Sequence, residues 1–94
     1  MEIRKAHLVE ATAGREKSKL FYVLDTDGEY LLLADGKSRR VEAPKRKKRK
    51  HARFIADTGD RVAGKIQAGE KVTNSELRRG IASYREADKS DQEG

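Results

Sequence analysis

The run Leu20-Phe21-Tyr22-Val23-Leu24, followed by Asp25-Thr26-Asp27-Gly28 and then Tyr30-Leu31-Leu32-Leu33-Ala34, decides the fold. Ten of the fifteen positions from Leu20 to Ala34 are apolar or aromatic. Each apolar run is too short for a stable helix, and turn chemistry separates the two, so the pattern predicts a pair of adjacent antiparallel strands. Upstream, Leu8-Val9-Glu10-Ala11 alternates as a first strand and stops at Ala13-Gly14. Downstream, Asp35-Gly36 is a hairpin signal, because both central positions of a tight hairpin turn favour φ > 0. It predicts a returning strand over Ser38 to Ala43, with Val41 inward, Arg39 or Arg40 toward water, and Pro44 ending the ladder. Lys50 to Ile55 supplies a short fifth strand anchored by Phe54 or Ile55. The expectation is a mainly β domain of about five strands, a small barrel or sandwich whose closure removes free edges.

After Ile55 the period changes. Val62 and Ile66 stand four apart before Gly69, which predicts a helix over about Asp60 to Ala68. Thr73-Asn74-Ser75-Glu76 matches a capping box, and Leu77, Ile81 and Tyr84 then share a helical face. Gly80 weakens that helix by roughly 1 kcal/mol relative to Ala, so it needs docking, on the β unit or on a partner. The charged residues from Ala87 onward read as disordered. The expected organisation is a β unit over 3–56, a helical extension of two short helices over 57–86, and a tail over 87–94.

Six consecutive cations, Lys45-Arg46-Lys47-Lys48-Arg49-Lys50, follow Pro44. From Lys37 to Arg53 there are ten Lys and Arg against the single acid Glu42, a formal +9, whereas the whole chain is +6. The positive field is therefore local. Charge of this sign and density points to a polyphosphate partner, because each neutralised phosphate releases condensed counterions. A solvated loop and a receptor-read targeting tag are the rival readings. Mutual repulsion in so tight a cluster argues against the solvated loop. A second cluster, Gly14-Arg15-Glu16-Lys17-Ser18-Lys19, links the first two predicted strands. There Gly14 permits close backbone approach to a phosphate. The aromatics Phe21, Tyr22, Tyr30, Phe54 and Tyr84 are few and mostly core-patterned, which favours backbone and shape recognition over base stacking. Tyr22 or Phe54 would be the exception.

Other classes lose ground on the same residues. Cysteine is absent, and two distant histidines, His7 and His51, make no zinc site. Asp25 to Glu29 resembles a calcium loop only superficially, since its sixth and twelfth positions are Tyr30 and Gly36 instead of Gly and Glu. No nucleophile elbow, phosphate-binding glycine loop or paired carboxylate occurs, so neither catalysis nor a cofactor is expected. There is no apolar run of about 18 residues and no signal-peptide layout, which suits a cytoplasmic protein. The basic tract lacks the lipidation signal or apolar helix face that would hold it on a membrane.

Leu8 to Lys17, with its central Gly14 and following basic residues, resembles the KOW motif, a strand–loop–strand unit. Tyr22-Val23-Leu24, Tyr30 to Gly36, Arg39 to Lys45, Lys47 to His51 and Gly69 to Arg78 extend the likeness. Together they resemble the small bacterial KOW-domain RNA-binding proteins related to large-subunit ribosomal KOW proteins, over most of residues 7–85. Such motifs often carry a further Gly where this chain has Ser18, and a Gly before the first strand where Ala6-His7-Leu8 stands. The resemblance implies an SH3-like barrel that binds RNA, ribosomal RNA above all, without catalysis or cofactor. Combined with the charge pattern, it gives a candidate RNA-binding set. One part is Gly14, Arg15, Lys17 and Lys19, with Arg39 and Arg40 extending it. The other is the basic loop Lys45, Arg46, Lys47, Lys48, Arg49 and Lys50, with His51 and Arg53. The expected host is the ribosome or an assembly intermediate, with no membrane or small-molecule partner and a monomer off the ribosome. The competing expectation is a protein-interaction module of a ribosome- or transcription-associated complex, docking through Leu77, Ile81 and Tyr84.

Overall fold

The computed structural model describes residues 2–93, with side chains over 2–88. Strands β1 (Leu8–Ala11), β2 (Leu20–Asp27), β3 (Tyr30–Ala34), β4 (Lys45–Lys48) and β5 (Ala52–Ala56) form one antiparallel sheet in the order β4-β3-β2-β1-β5. Helices α1 (Arg61–Gln67) and α2 (Asn74–Glu93) follow. The hairpin that decides the fold is present, with Val23 opposite Leu33 and Asp27 opposite Tyr30.

β4 and β5 lie at opposite ends of that order, yet only the 3₁₀ turn Arg49–His51 joins them. A connection of that length obliges the sheet to curl. Two backbone hydrogen bonds stitch the curl: Thr12 N–H donates to the His51 carbonyl at 2.9 Å, and Arg49 N–H to the Glu29 carbonyl at 2.8 Å. The two edge strands do not pair with each other, so the ladder itself stays open.

Alternation divides the sheet between two apolar cores. Val9, Ala11, Phe21, Val23, Leu31 and Leu33 are buried on the face enclosed by the curl, with Ile3, and Phe54 packs against them. Among the described residues no helix covers that face; the curl does. Leu8, Tyr22 and Ala34 point to the other face, where Val62, Ala63 and Ile66 of α1 and Leu77 and Ile81 of α2 cover them. Phe54 and Ile55 therefore both act as anchors, one in each core.

Each helix begins as the sequence predicts. Asp60 caps α1, its carboxylate accepting from Ala63 N–H at 2.7 Å. Thr73 and Glu76 exchange the reciprocal bonds of a capping box at the start of α2, Thr73 N–H to Glu76 at 2.9 Å and Glu76 N–H to the Thr73 hydroxyl at 3.1 Å. Tyr22, fully buried, donates its hydroxyl to the Asp60 carboxylate at 2.9 Å. Burial and then that bond push the Tyr22 hydroxyl pKa well up from its ordinary value. Gly80 lies directly over this ring: a Cβ there would collide with the Tyr22 hydroxyl.

Three expectations are corrected. Ser38 to Ala43 forms no strand, because Asp35 gathers the chain into a closed turn. Its carboxylate accepts from Lys37 N–H, Arg39 N–H and the Ser38 hydroxyl, while Asp35 N–H donates to the Arg39 carbonyl. Val41 packs from this irregular segment against the helix-side core. Second, residues 45–48 form β4 and 49–51 a 3₁₀ turn, so the tract is not a loop. Pro44 precedes the strand and does not obstruct it, and an edge strand tolerates a neighbouring proline. Third, α2 is not short and continues through Ala87 to Glu93 where a disordered tail was expected; Gly94 lies outside the described residues. Once a box-capped helix has nucleated, propagation adds a hydrogen bond for each residue ordered.

Candidate nucleic-acid interface

The candidate interface lies where the β1–β2 connection, residues 12–19, folds over β4. Gly14 at φ +80° and Ser18 at φ +76° turn this connection. Lys17 N–H closes on the Gly14 carbonyl at 3.2 Å, and Ser18 N–H on the Ala11 carbonyl at 2.8 Å. Lys47 lies opposite Leu31 in the β3–β4 ladder and so shares its enclosed face, which lets its Nζ reach the Ala13 carbonyl at 2.9 Å. The two cationic segments are thus joined directly, 34 residues apart in sequence.

Glu16 is the hidden centre of this junction. It is only 5% exposed, and the Arg39 guanidinium binds its carboxylate through both Nε and Nη2. That hydrogen bond, with the fields of Arg39, Lys45 and Lys47, holds its carboxyl below the usual range despite burial. An acid inside a cationic cluster removes some repulsion and orients its neighbours.

Strand alternation sorts the tract. Lys45 and Lys47 are half-buried on the enclosed face, while Arg46 and Lys48 are exposed on the other. Arg46 stacks over the Tyr30 ring, its guanidinium carbon 3.6 Å from the centroid, with Asp27 at 3.7 Å. Arg49 serves the fold: its side chain donates to the Gly28 carbonyl at 2.7 Å and to the Ile3 carbonyl at 2.6 Å. Lys50 is exposed, and His51 is half-buried with its carbonyl in the curl-closing bond. Arg53 pairs with Glu10 at 2.7 Å, and Arg40 with Glu42 at 2.9 Å. Asn74 and then Arg40 lower the Glu42 carboxyl to about 2.

Apart from Gly14 in the turn, Arg46 over Tyr30 and His51 in the curl, the other eleven of the fourteen candidate residues fall into two groups. Arg39, Arg40, Lys47, Arg49 and Arg53 are engaged with the protein's own acids and carbonyls. Arg15, Lys17, Lys19, Lys45, Lys48 and Lys50 show no side-chain hydrogen bond or ion pair among the described residues. These six, around the loop and the β4 edge, are the charges left for a ligand. Tyr22 is excluded as a stacking platform by complete burial; Tyr30, beneath Arg46, is the surface aromatic the sequence did not single out. Glu16 is a further residue the candidate set lacks, although a lone acid among the three cations Arg15, Lys17 and Lys19 of one connection is a readable signal.

Leu77 is fully buried and Ile81 is 5% exposed, both against the sheet, so the helix face expected to dock a partner is occupied within the chain. Among the described residues no helix is long and apolar enough to cross a membrane. No protein-family model matches the chain, and no characterised protein matches it in sequence.

Proposed function

We propose that this protein binds structured RNA, ribosomal RNA first, through the phosphate backbone, as a non-catalytic SH3-like barrel of the KOW type. One observation carries the reading: the 12–19 connection is seated on β4 through Lys47 and Ala13, so two cationic clusters far apart in sequence are brought side by side. The glycine pattern supports the family likeness. Ala6, at φ +74°, and Ser18 are the positive-φ residues other than glycine among the described residues. Ser18 stands where KOW motifs often carry Gly, and Ala6 lies in the Ala6-His7-Leu8 stretch that replaces the Gly common before the first strand, which supports the likeness. The ribosome or an assembly intermediate in the cytoplasm is the proposed host, with the protein a monomer away from it and without a cofactor.

Arg15→Glu with Lys48→Glu and Lys50→Glu tests the reading without touching Lys47 or Arg49, whose bonds hold the fold. Circular dichroism should be unchanged, while RNA binding measured by filter retention is lost. About five phosphate contacts predict that the affinity of the native chain for single-stranded RNA drops roughly 100-fold between about 50 and 200 mM salt. A flat salt response, or undiminished binding by the triple variant, contradicts the proposal. Equal affinity for duplex DNA in direct competition would redirect it to general polyanion binding.

A further inference from the structure

The turn at 35–38 and the first half of α2 bound a groove of about 320 Å³ that the tract does not reach. Lys19, Lys37, Arg78 and Arg85 line it, with Leu20 and Ile81 among its apolar contributors. Arg78 and Arg85 are seven residues apart, two helical turns, and therefore share a face of α2. The single acid in the lining among the described residues, Asp35, already accepts three hydrogen bonds from its own turn. Burial raises its pKa, but those bonds and the field of Lys19 outweigh it, and the carboxyl stays below its ordinary value. The local balance is four cations against one saturated anion.

The groove is also rigid. A Cβ at Gly36 would strike the Asn74 carbonyl, so the turn is pressed onto the start of α2. Arg78 donates to the Gly36 carbonyl at 2.6 Å, and the Asn74 side chain both accepts from Val41 N–H at 2.8 Å and donates to Glu42 at 2.7 Å. Lys37 and Arg85 stand exposed on these fixed walls, with no side-chain hydrogen bond or ion pair among the described residues. Fixed walls spare a ligand the ordering cost that flexible lysine-bearing loops impose. Lys19 connects the groove to the 12–19 connection, so an extended strand lying on that connection has a continuous cationic course onto α2.

We propose that this groove binds a phosphodiester of the same RNA, with Lys37 and Arg85 as its phosphate contacts and Leu20 as the apolar wall beside the attached sugar or base. This rests on the RNA-binding reading and adds α2 to its footprint. The test uses the full chain with a labelled RNA stem-loop bearing single-stranded flanks, titrated with salt. Lys37→Ala with Arg85→Ala should weaken binding roughly 3- to 10-fold and flatten the salt slope by about 1.4, two single-strand contacts at about 0.7 each. The helical signal should not change. Native affinity and slope in this double variant, beside lost binding in the Arg15/Lys48/Lys50 variant, overturn the groove assignment and leave the main interface standing. Weakening without a change of slope overturns it as well, since no phosphate contact would have been lost. A native chain with no salt-sensitive RNA binding overturns both readings together. Saturable binding of a mononucleotide without RNA, abolished in the double variant, would give the groove to a free nucleotide and overturn its assignment to the strand.

Discussion

Gly80 shows how a single residue can mean opposite things in sequence and in space. By propensity it is a flaw in α2, and replacing it with Ala should add about 1 kcal/mol to helix stability. In the fold it is the hollow that receives the Tyr22 hydroxyl, which Asp60 holds in place. Overpacking a fixed core group costs roughly 1–3 kcal/mol. Gly80→Ala should therefore lower stability, and pairing it with Tyr22→Phe should recover part of the loss in thermal melts. A stabilised Gly80→Ala protein would show that the ring moves freely. Glu16 teaches the same lesson for charge: its type is plain in the sequence, but its burial beneath Arg39 depends on the sheet's curl. Types and spacings were legible at this scale; partners reached through space were not.

Among the elements, the hairpin, the first strand and both helix starts were legible because their signals are local: alternation, Asp/Gly turns and a capping box. β4 was not, since a strand of Lys and Arg alone has no apolar face to read. It exists because β3 supplies its partner and because an edge strand can be entirely charged, a common protection against pairing with another chain. The Asp35-Gly36 signal places that strand over Ser38 to Ala43, but the Asx-type turn at Asp35 competes with hairpin pairing over the same residues and wins. The link between α1 and α2 carries a prediction of its own. Lys65 and then Thr73 lower the Glu76 carboxyl to about 2 from its ordinary 4.5. Between those values the unfolded chain binds the extra proton, so stability present above about pH 4.5 drains away as pH falls toward 2. Glu76→Gln should flatten the acid limb of a denaturant-midpoint profile against pH; an unaltered limb would remove Glu76 as its source.

At the scale of the molecule, the division into a β unit and a helical extension gives way to shared packing. Leu8, Tyr22 and Ala34 have their cover in Val62, Ile66, Leu77 and Ile81, so the sheet and helices complete one another. A chain ending at residue 56 should expose that apolar face, melt without a sharp transition and elute as aggregates on size exclusion. A cooperative melt of the 1–56 fragment would restore the barrel as an independent unit. The total of five strands and two helices agrees with expectation only because β4 stands in for the absent strand at Ser38 to Ala43; a small barrel or sandwich was the expected form, but the open ladder was not legible, because it follows from the order of strands and the shortness of one turn.

The charged edge has one further outcome. β4 leaves backbone donors and acceptors uncommitted along its outer side, and what deters a second copy from zipping onto them is the repulsion among its own cations. A polyanion bound there would cancel that deterrent while screening the same margin from view. Neutralising the lysines chemically, with no ligand in place, would strip away guard and cover at once, leaving a protein prone to polymerise.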